Sequence, residues 1–217
     1  FGDIKGVIRP CLCALFPARN GQTVVLDIGA NAECRPEFLA QFAVMGKIYA
    51  QTMLGIANPR IGLLSNGKEE GKGNNLIRET YPLLEAMDIN FIGNVEGKGL
   101  FNGEADVVVT DGFTGNVVLK STEAVAQFII DLLKVELMTS FRSKMGALLA
   151  KPAFGKLSSM LDPSEVGAAP LLGIDAPVFV GHGRSDSKAI VSAIREAKHA
   201  ADHHLLEKLR KAISESI

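Results

Sequence analysis

The chain has 217 residues, 47% of them hydrophobic, enough to bury a sizeable core as one large domain or two small ones. Its 23 basic and 24 acidic side chains nearly cancel, which speaks against nucleic acid as a partner. No apolar run reaches the ~18 residues of a membrane span and no signal-peptide pattern is seen; the three cysteines, Cys11, Cys13 and Cys34, are badly spaced for zinc, so the expectation is a cytoplasmic protein with reduced, buried thiols.

The opening "FGDIKGVIRP" lacks an initiator methionine and does not read as a domain start, so a fragment is expected. "QTVVLDIGAN" reads as a buried strand, followed by a helix over "RPEFLAQFAVMGKIYAQTMLG" with Pro36 in its first turn and Gly55 at its stop. "RIGLL" is the next strand, and after a polar loop "NLIRETYPLLEAM" has the spacing of a helix, with Pro82 placed to kink or interrupt it. Strands at "INFIG" and "DVVVTD" lead to a long helix from near Thr114, and a strand at "APVFVGHG" leads to a last helical stretch, "SDSKAIVSAIREAKHAADHHLLEKLRKAI". Strands alternating with helices imply an α/β fold: a mostly parallel sheet with helices on both faces.

Four polar clusters each follow a strand: "DIGAN", "LSNGKEEGKGN", "TDGFTGN" and "VGHGRSD". Ligands of open α/β sheets bind beyond the carboxyl ends of strands, so these loops should line one rim, with helix N-termini turned toward it. Glycines let backbone approach a ligand, lysines bring charge and asparagines offer donors and acceptors, an environment that fits phosphate. A solvated loop explains any one of them alone; four together favour a site. Neither the dinucleotide fingerprint nor a Walker-type loop is complete. Asn116 either projects into the rim or serves as a turn residue, and Lys120 shares its face one helical turn on. Thr114 is the expected cap of that helix, and Ser185 or Asp186 that of the last. His182 and Ser185 lack the setting of a nucleophile elbow, and His199 with His203 lacks a partner carboxylate for a metal, so no metal site is expected.

From Thr139 to Leu161 the chain carries Arg142, Lys144, Lys151 and Lys156 and no acidic residue, interleaved with Phe141, Met145, Leu148 and Leu149. That pattern fits a helical hairpin interrupted at Pro152, basic on one side and apolar on the other, suited to a second subunit, an anionic membrane surface, or both.

Taken together, "RP" at Arg9 and Pro10, "LDIGAN", "FAVMG", "NGKEEGKGN", "FIGNVEG", "ADVVVTDGFTGNVVLK" and "GHGRSDSKAI" resemble, in the same order, the PlsX family of phosphate acyltransferases. The resemblance spans the whole chain and implies a fold similar to isocitrate and isopropylmalate dehydrogenases and to phosphate acetyltransferase. It implies a single α/β catalytic region over residues 1–217 that lacks the family's upstream segment. A hairpin at 131–165 projects from it for dimer or membrane contact. It further implies transfer of a long-chain acyl group from acyl carrier protein to inorganic phosphate, with no cofactor, by a homodimer in the cytoplasm that can lie at the inner face of the membrane. On this reading Lys72 and Asn116 are catalytic, and Asn31, Asn74, Lys120, His182 and Ser185 bind phosphate or substrate. Phe141, Arg142, Lys144, Leu148 and Leu149 make the membrane or dimer contact. The alternatives are a nicotinamide-dependent hydroxy-acid dehydrogenase of the same superfold and a non-catalytic dimerising, membrane-docking fragment.

Overall fold

Short runs of β-branched residues build the centre of the molecule: Val24 to Leu26, Ile61 to Leu64 and Val107 to Val109 are buried, as strands covered on both faces must be. A computed structural model describes residues 2–161, 167–181, 183 and 185–215. In chain order the strands are β1 (Cys11–Ala18), β2 (Gly21–Leu26), β3 (Ile61–Leu64), β4 (Phe91–Val95), β5 (Val107–Val109), β6 (Ala168–Leu172) and β7 (Phe179–Gly181). The helices, numbered here α1 to α7, are Pro36–Met53, Asn75–Glu85, Gly97–Asn102, Gly112–Leu137, Phe141–Leu161, Ser187–Asp202 and Leu205–Glu215.

Among the described residues one sheet of seven strands has the order β4-β3-β5-β2-β1-β6-β7. Its β4-β3, β3-β5 and β5-β2 pairs are parallel, and its β2-β1, β1-β6 and β6-β7 pairs are antiparallel. Five strands therefore run one way and β1 and β7 the other, a mostly parallel sheet with an antiparallel flank. On one face α1 and α7 pack Phe42, Met45, Leu209 and Ile213 against Leu26, Ile61, Leu63 and Val107. On the other, Val118 and Leu119 of α4 and Phe101 of α3 cover Phe16, Val25, Ile28 and Val108.

The antiparallel flank corrects one expectation. Because β7 runs against β2, the chain leaves Gly181 away from the edge where Leu26 and Val109 end. Three polar loops share the rim, and "GHGRSD" departs from the opposite direction. The hairpin is also built differently from its sequence reading: α5 runs unbroken through Pro152, and the turn lies earlier, between α4 and Phe141. Proline removes the bond to the carbonyl of Leu148, and α5 carries it in a stretch whose residues are largely exposed. Pro82 is likewise accommodated inside α2. The last helical stretch is two helices, because His204 takes a left-handed φ of 55° and ends the run between them.

At the opposite edge of the sheet, Asp106 accepts from the Arg60 backbone N–H (2.8 Å) and from its guanidinium (3.0 and 2.9 Å), tying β3 to β5. Partial burial alone would raise the Asp106 pKa, but the Arg60 bonds outweigh it and hold the carboxyl below its ordinary range. A depressed folded pKa stabilises fully above the unfolded value of about 3.9 and is lost as pH falls through the folded one. Asp106→Asn is thus expected to lower stability by about 1 kcal/mol at pH 7, discounted for the half-exposed arginine, and to flatten the acid limb of a denaturation profile below about pH 4.

Candidate active site

The rim is assembled from backbone upward. Asp27, wholly buried at the end of β2, accepts from the N–H groups of Leu12 (3.0 Å), Gly29 (3.0 Å), Ala30 (3.0 Å) and Asn31 (2.7 Å) and from the Asn31 amide (2.9 Å). The other donor of that amide goes to the Pro10 carbonyl (2.7 Å). Both donors of Asn31, read from the sequence as a phosphate ligand, are therefore engaged in shaping the loop.

Onto this loop the N-terminus of α4 settles backbone to backbone. The Gly112 N–H donates to the Asn31 carbonyl (2.8 Å), and a Cβ on Gly112 would meet that oxygen at 2.6 Å. A Cβ on Gly115 would lie 1.9 Å from the Asp27 carbonyl oxygen. These glycines of "DGFTG" are steric requirements, since any side chain would separate the two loops. Asp111, rather than Thr114, caps the helix: its carboxylate accepts from the Thr114 N–H (2.8 Å) and hydroxyl (2.7 Å). Asn116 then stands beside Gly29, its Cβ and Cγ each 3.7 Å from where a Gly29 Cβ would be.

The third loop leaves β3, which pairs in parallel with β5 as β5 does with β2, so all three loops start from the same edge of the sheet. Asn66 accepts from the Gly73 N–H (2.9 Å), and Asn94 donates to the Glu69 carbonyl (2.9 Å), folding the loop on itself. Lys68 is paired with Glu104 and Lys98 with Glu96, whereas Lys72 and Lys120 have no ion-pair or hydrogen-bond partner for their ammonium groups among the described residues. Gly67 admits the Lys72 stem, whose Cγ is 2.9 Å from the ideal Cβ position. Asn74 caps α2 by accepting from the Ile77 N–H (3.0 Å). Helices α2 and α4 both begin at this rim, turning positive dipole ends toward it.

Of the residues read from the sequence, the topology thus brings Asn31, Lys72, Asn74 and Asn116 to one edge, with Lys120 a turn along α4. Ser185 sits away from them, its Oγ 3.5 Å from the Gly181 Cβ position, while Asp186 caps α6 through the Ala189 N–H (2.8 Å). His182 lies outside the described residues. The sequence reading passed over Asp27 and Asp111, whose signal was an aspartate opening each glycine turn. Two buried groups at or near this edge, the Thr110 hydroxyl and the Asn94 amide oxygen, have no hydrogen-bond partner among the described residues.

Burial disfavours the thiolate form of all three cysteines. Burial, reinforced by Asp27, pushes Cys11 and Cys13 well up, and burial pushes Cys34 up to about 11. All three are free; Cys11 and Cys13 are fully buried, as expected, whereas Cys34 is only partly buried. No group of three or more metal-binding side chains occurs among the described residues, and no described helix is long and apolar enough to cross a membrane.

Solved structures similar in fold include the EutD phosphotransacetylase from Staphylococcus aureus (TM-score 0.51, 16% identity, 91% of this chain and 56% of that one). A branched-chain phosphotransacylase from Enterococcus faecalis is another (TM-score 0.53, 16% identity, 88% and 66%). Relatives named phosphate acyltransferase include those of Elusimicrobium minutum, 49% identical over 99% of this chain and 63% of that protein, and Thermus thermophilus, 49% over 98% and 65%. One from Campylobacter jejuni is 50% identical over 95% and 62%. The chain spans somewhat under two thirds of the length of these relatives. The family model described as "Fatty acid synthesis protein" matches residues 1–208, and the chain belongs to that family, as its motifs implied.

Proposed function

We propose that this chain carries the reaction site of a phosphate acyltransferase, which moves a long-chain fatty acyl group from the thioester of acyl carrier protein to inorganic phosphate. The reading is carried by a cation without a partner among the described residues, Lys72, and an amide, Asn116, on loops that leave adjacent parallel strands at the edge where two helices begin. A phosphate oxygen attacks the thioester carbonyl, a C–O bond forms, and the tetrahedral oxyanion collapses with the C–S electrons leaving on sulfur. Phosphate is already nucleophilic at neutral pH and a thiolate of pKa about 8.5 leaves readily, so positioning and charge stabilisation suffice without a cofactor or covalent intermediate. Lys72 and Asn116 divide the tasks of holding phosphate and stabilising the oxyanion; Asn74 and Lys120 assist, Asn31 sets the loop, and Ser185, placed away from this edge, is left out of the chemistry. Residues 1–217 act as one α/β catalytic region of the superfold that phosphotransacylases share with isocitrate and isopropylmalate dehydrogenases. The dehydrogenase alternative wants free carboxylates at the rim; Asp27 and Asp111 are engaged with backbone N–H groups, which leaves it the exposed Glu69 and Glu70 of the third loop.

The test is phosphate-dependent thiol release and acyl-phosphate formation from palmitoyl-acyl carrier protein, with the Thermus thermophilus relative as positive control. Production by the control and none by this chain would overturn the reading.

The hairpin of α4 and α5 exposes Phe128, Val135, Phe141 (79%), Leu148 and Leu149 (80%) beside Arg142 and Lys144. Such a surface suits a homodimer whose basic tip lies on the anionic inner face of the membrane, where product passes to phospholipid synthesis. Reversing both charges, Arg142→Glu with Lys144→Glu, is expected to weaken partition to anionic vesicles by about tenfold or more, at about 1 kcal/mol per lost cation. Unchanged sedimentation with vesicles would leave the hairpin as subunit interface alone.

A further inference from the structure

Strand β1 pairs with β6 only at Cys11–Leu172 and Leu12–Leu171, although β1 runs on to Ala18. Beyond Leu12 the two strands splay, and the wedge between them is a groove of about 320 Å³. Its lining comes from both faces of the sheet, Ala14 and Leu119 from one and Tyr49 and Phe179 from the other. Its strand floor is apolar; the charged groups, Lys120, Glu123 and Glu196, stand on the flanking helices α4 and α6. Asn116 belongs to this lining and also stands against Gly29 of the rim, so groove and rim meet at one side chain.

We propose that this wedge takes the acyl chain of the thioester, entering past Asn116 and running beneath α4 toward Ala126. The proposal rests on the acyl-transfer reading. An apolar groove continuous with a polar reaction edge suits a ligand with a long apolar tail and one reactive polar end. The ten residues from Asn116 to Ala126 span about 15 Å of helix. Extended polypeptide advances ~3.5 Å per three chain bonds, so an extended alkyl chain of about a dozen carbons fits that length. Ala169, half-buried on β6, lines the wedge and is not among the proposed catalytic side chains; the register of Leu12 with Leu171, carried on, puts it level with Ala14, below the Leu26 end of the sheet, so a larger side chain there shortens the reach of a bound chain.

Ala169→Phe, with Ala169→Leu as the milder filling and thermal melting to verify folding, is assayed with sixteen-carbon and eight-carbon acyl carrier protein. The expected result is about a tenfold or greater loss of kcat/KM for the long thioester with the short one within about twofold. An equal loss for both, or no loss for either, overturns the proposal and leaves the wedge to another occupant. A conjugated-tetraene fatty acid gives a readout independent of turnover: its fluorescence rises with the unaltered chain and not with Ala169→Phe. Binding of this kind without turnover of either thioester keeps the groove and removes the acyl-transfer reading, whereas no binding and no turnover removes both.

Discussion

Replacing Asn116 or Lys72 by alanine is expected to lower acyl-phosphate formation by about 10²–10³-fold, the range for removing one preorganised donor from a developing oxyanion. Neither side-chain polar group is engaged elsewhere among the described residues, and Lys72 is exposed, so the folded state has little to lose. An exposed change such as Lys72→Ala stays within about 0.5 kcal/mol, a shift of about 2 °C or less in a domain this size. Paired assays of thiol release and thermal melting separate the two effects. Turnover close to that of the unaltered chain would remove the substituted residue from the site. Lys68 supplies the internal comparison: it carries the same charge in the same loop but is tied to Glu104, so Lys68→Ala should be far milder.

The second large effect concerns Gly115. Helix propensity alone would favour alanine there by about 1 kcal/mol, yet the added methyl carbon would sit 1.9 Å from the Asp27 carbonyl oxygen, where only backbone could yield. Gly115→Ala is therefore expected to destabilise by about 3 kcal/mol or more, about 6–12 °C in melting temperature, and to reduce turnover in whatever folds by shifting Asn116. Gly146→Ala in α5, where no atom lies within 4 Å of the new carbon, is the control and should be neutral or slightly stabilising. Similar melting of the two variants would refute the close approach of α4 to the β2 loop.

Much of this was legible in the sequence, because buried strands and amphipathic helices leave periodic marks. The runs that became β2, β3 and β5 and the loops behind them were read at about their observed places, as was the turn into α1. Less legible were features decided by pairing. The direction of β7 depends on the antiparallel flank through β1 and β6, and nothing local in "PVFVG" reports it. Local chemistry also misled: Thr114 looked like a cap, but Asp111 three residues earlier has the stronger acceptor. Pro152 looked like a break, but an exposed helix tolerates it. Asn31 could be placed at the rim by sequence, but the engagement of its amide donors is a property of the folded loop.

The Asp27 network has a wider implication. Three successive peptide N–H groups of the kind that bind free anions are occupied by a carboxylate fastened to the same chain. Such a resident group competes from an effective concentration of about millimolar or more, which dissolved oxyanions must outbid to enter. On the acyl-transfer reading proposed above, discrimination between phosphate and look-alikes such as sulfate would then fall to side chains that can still rotate, and exchanging a lysine or an asparagine would retune it without rebuilding the main chain beneath.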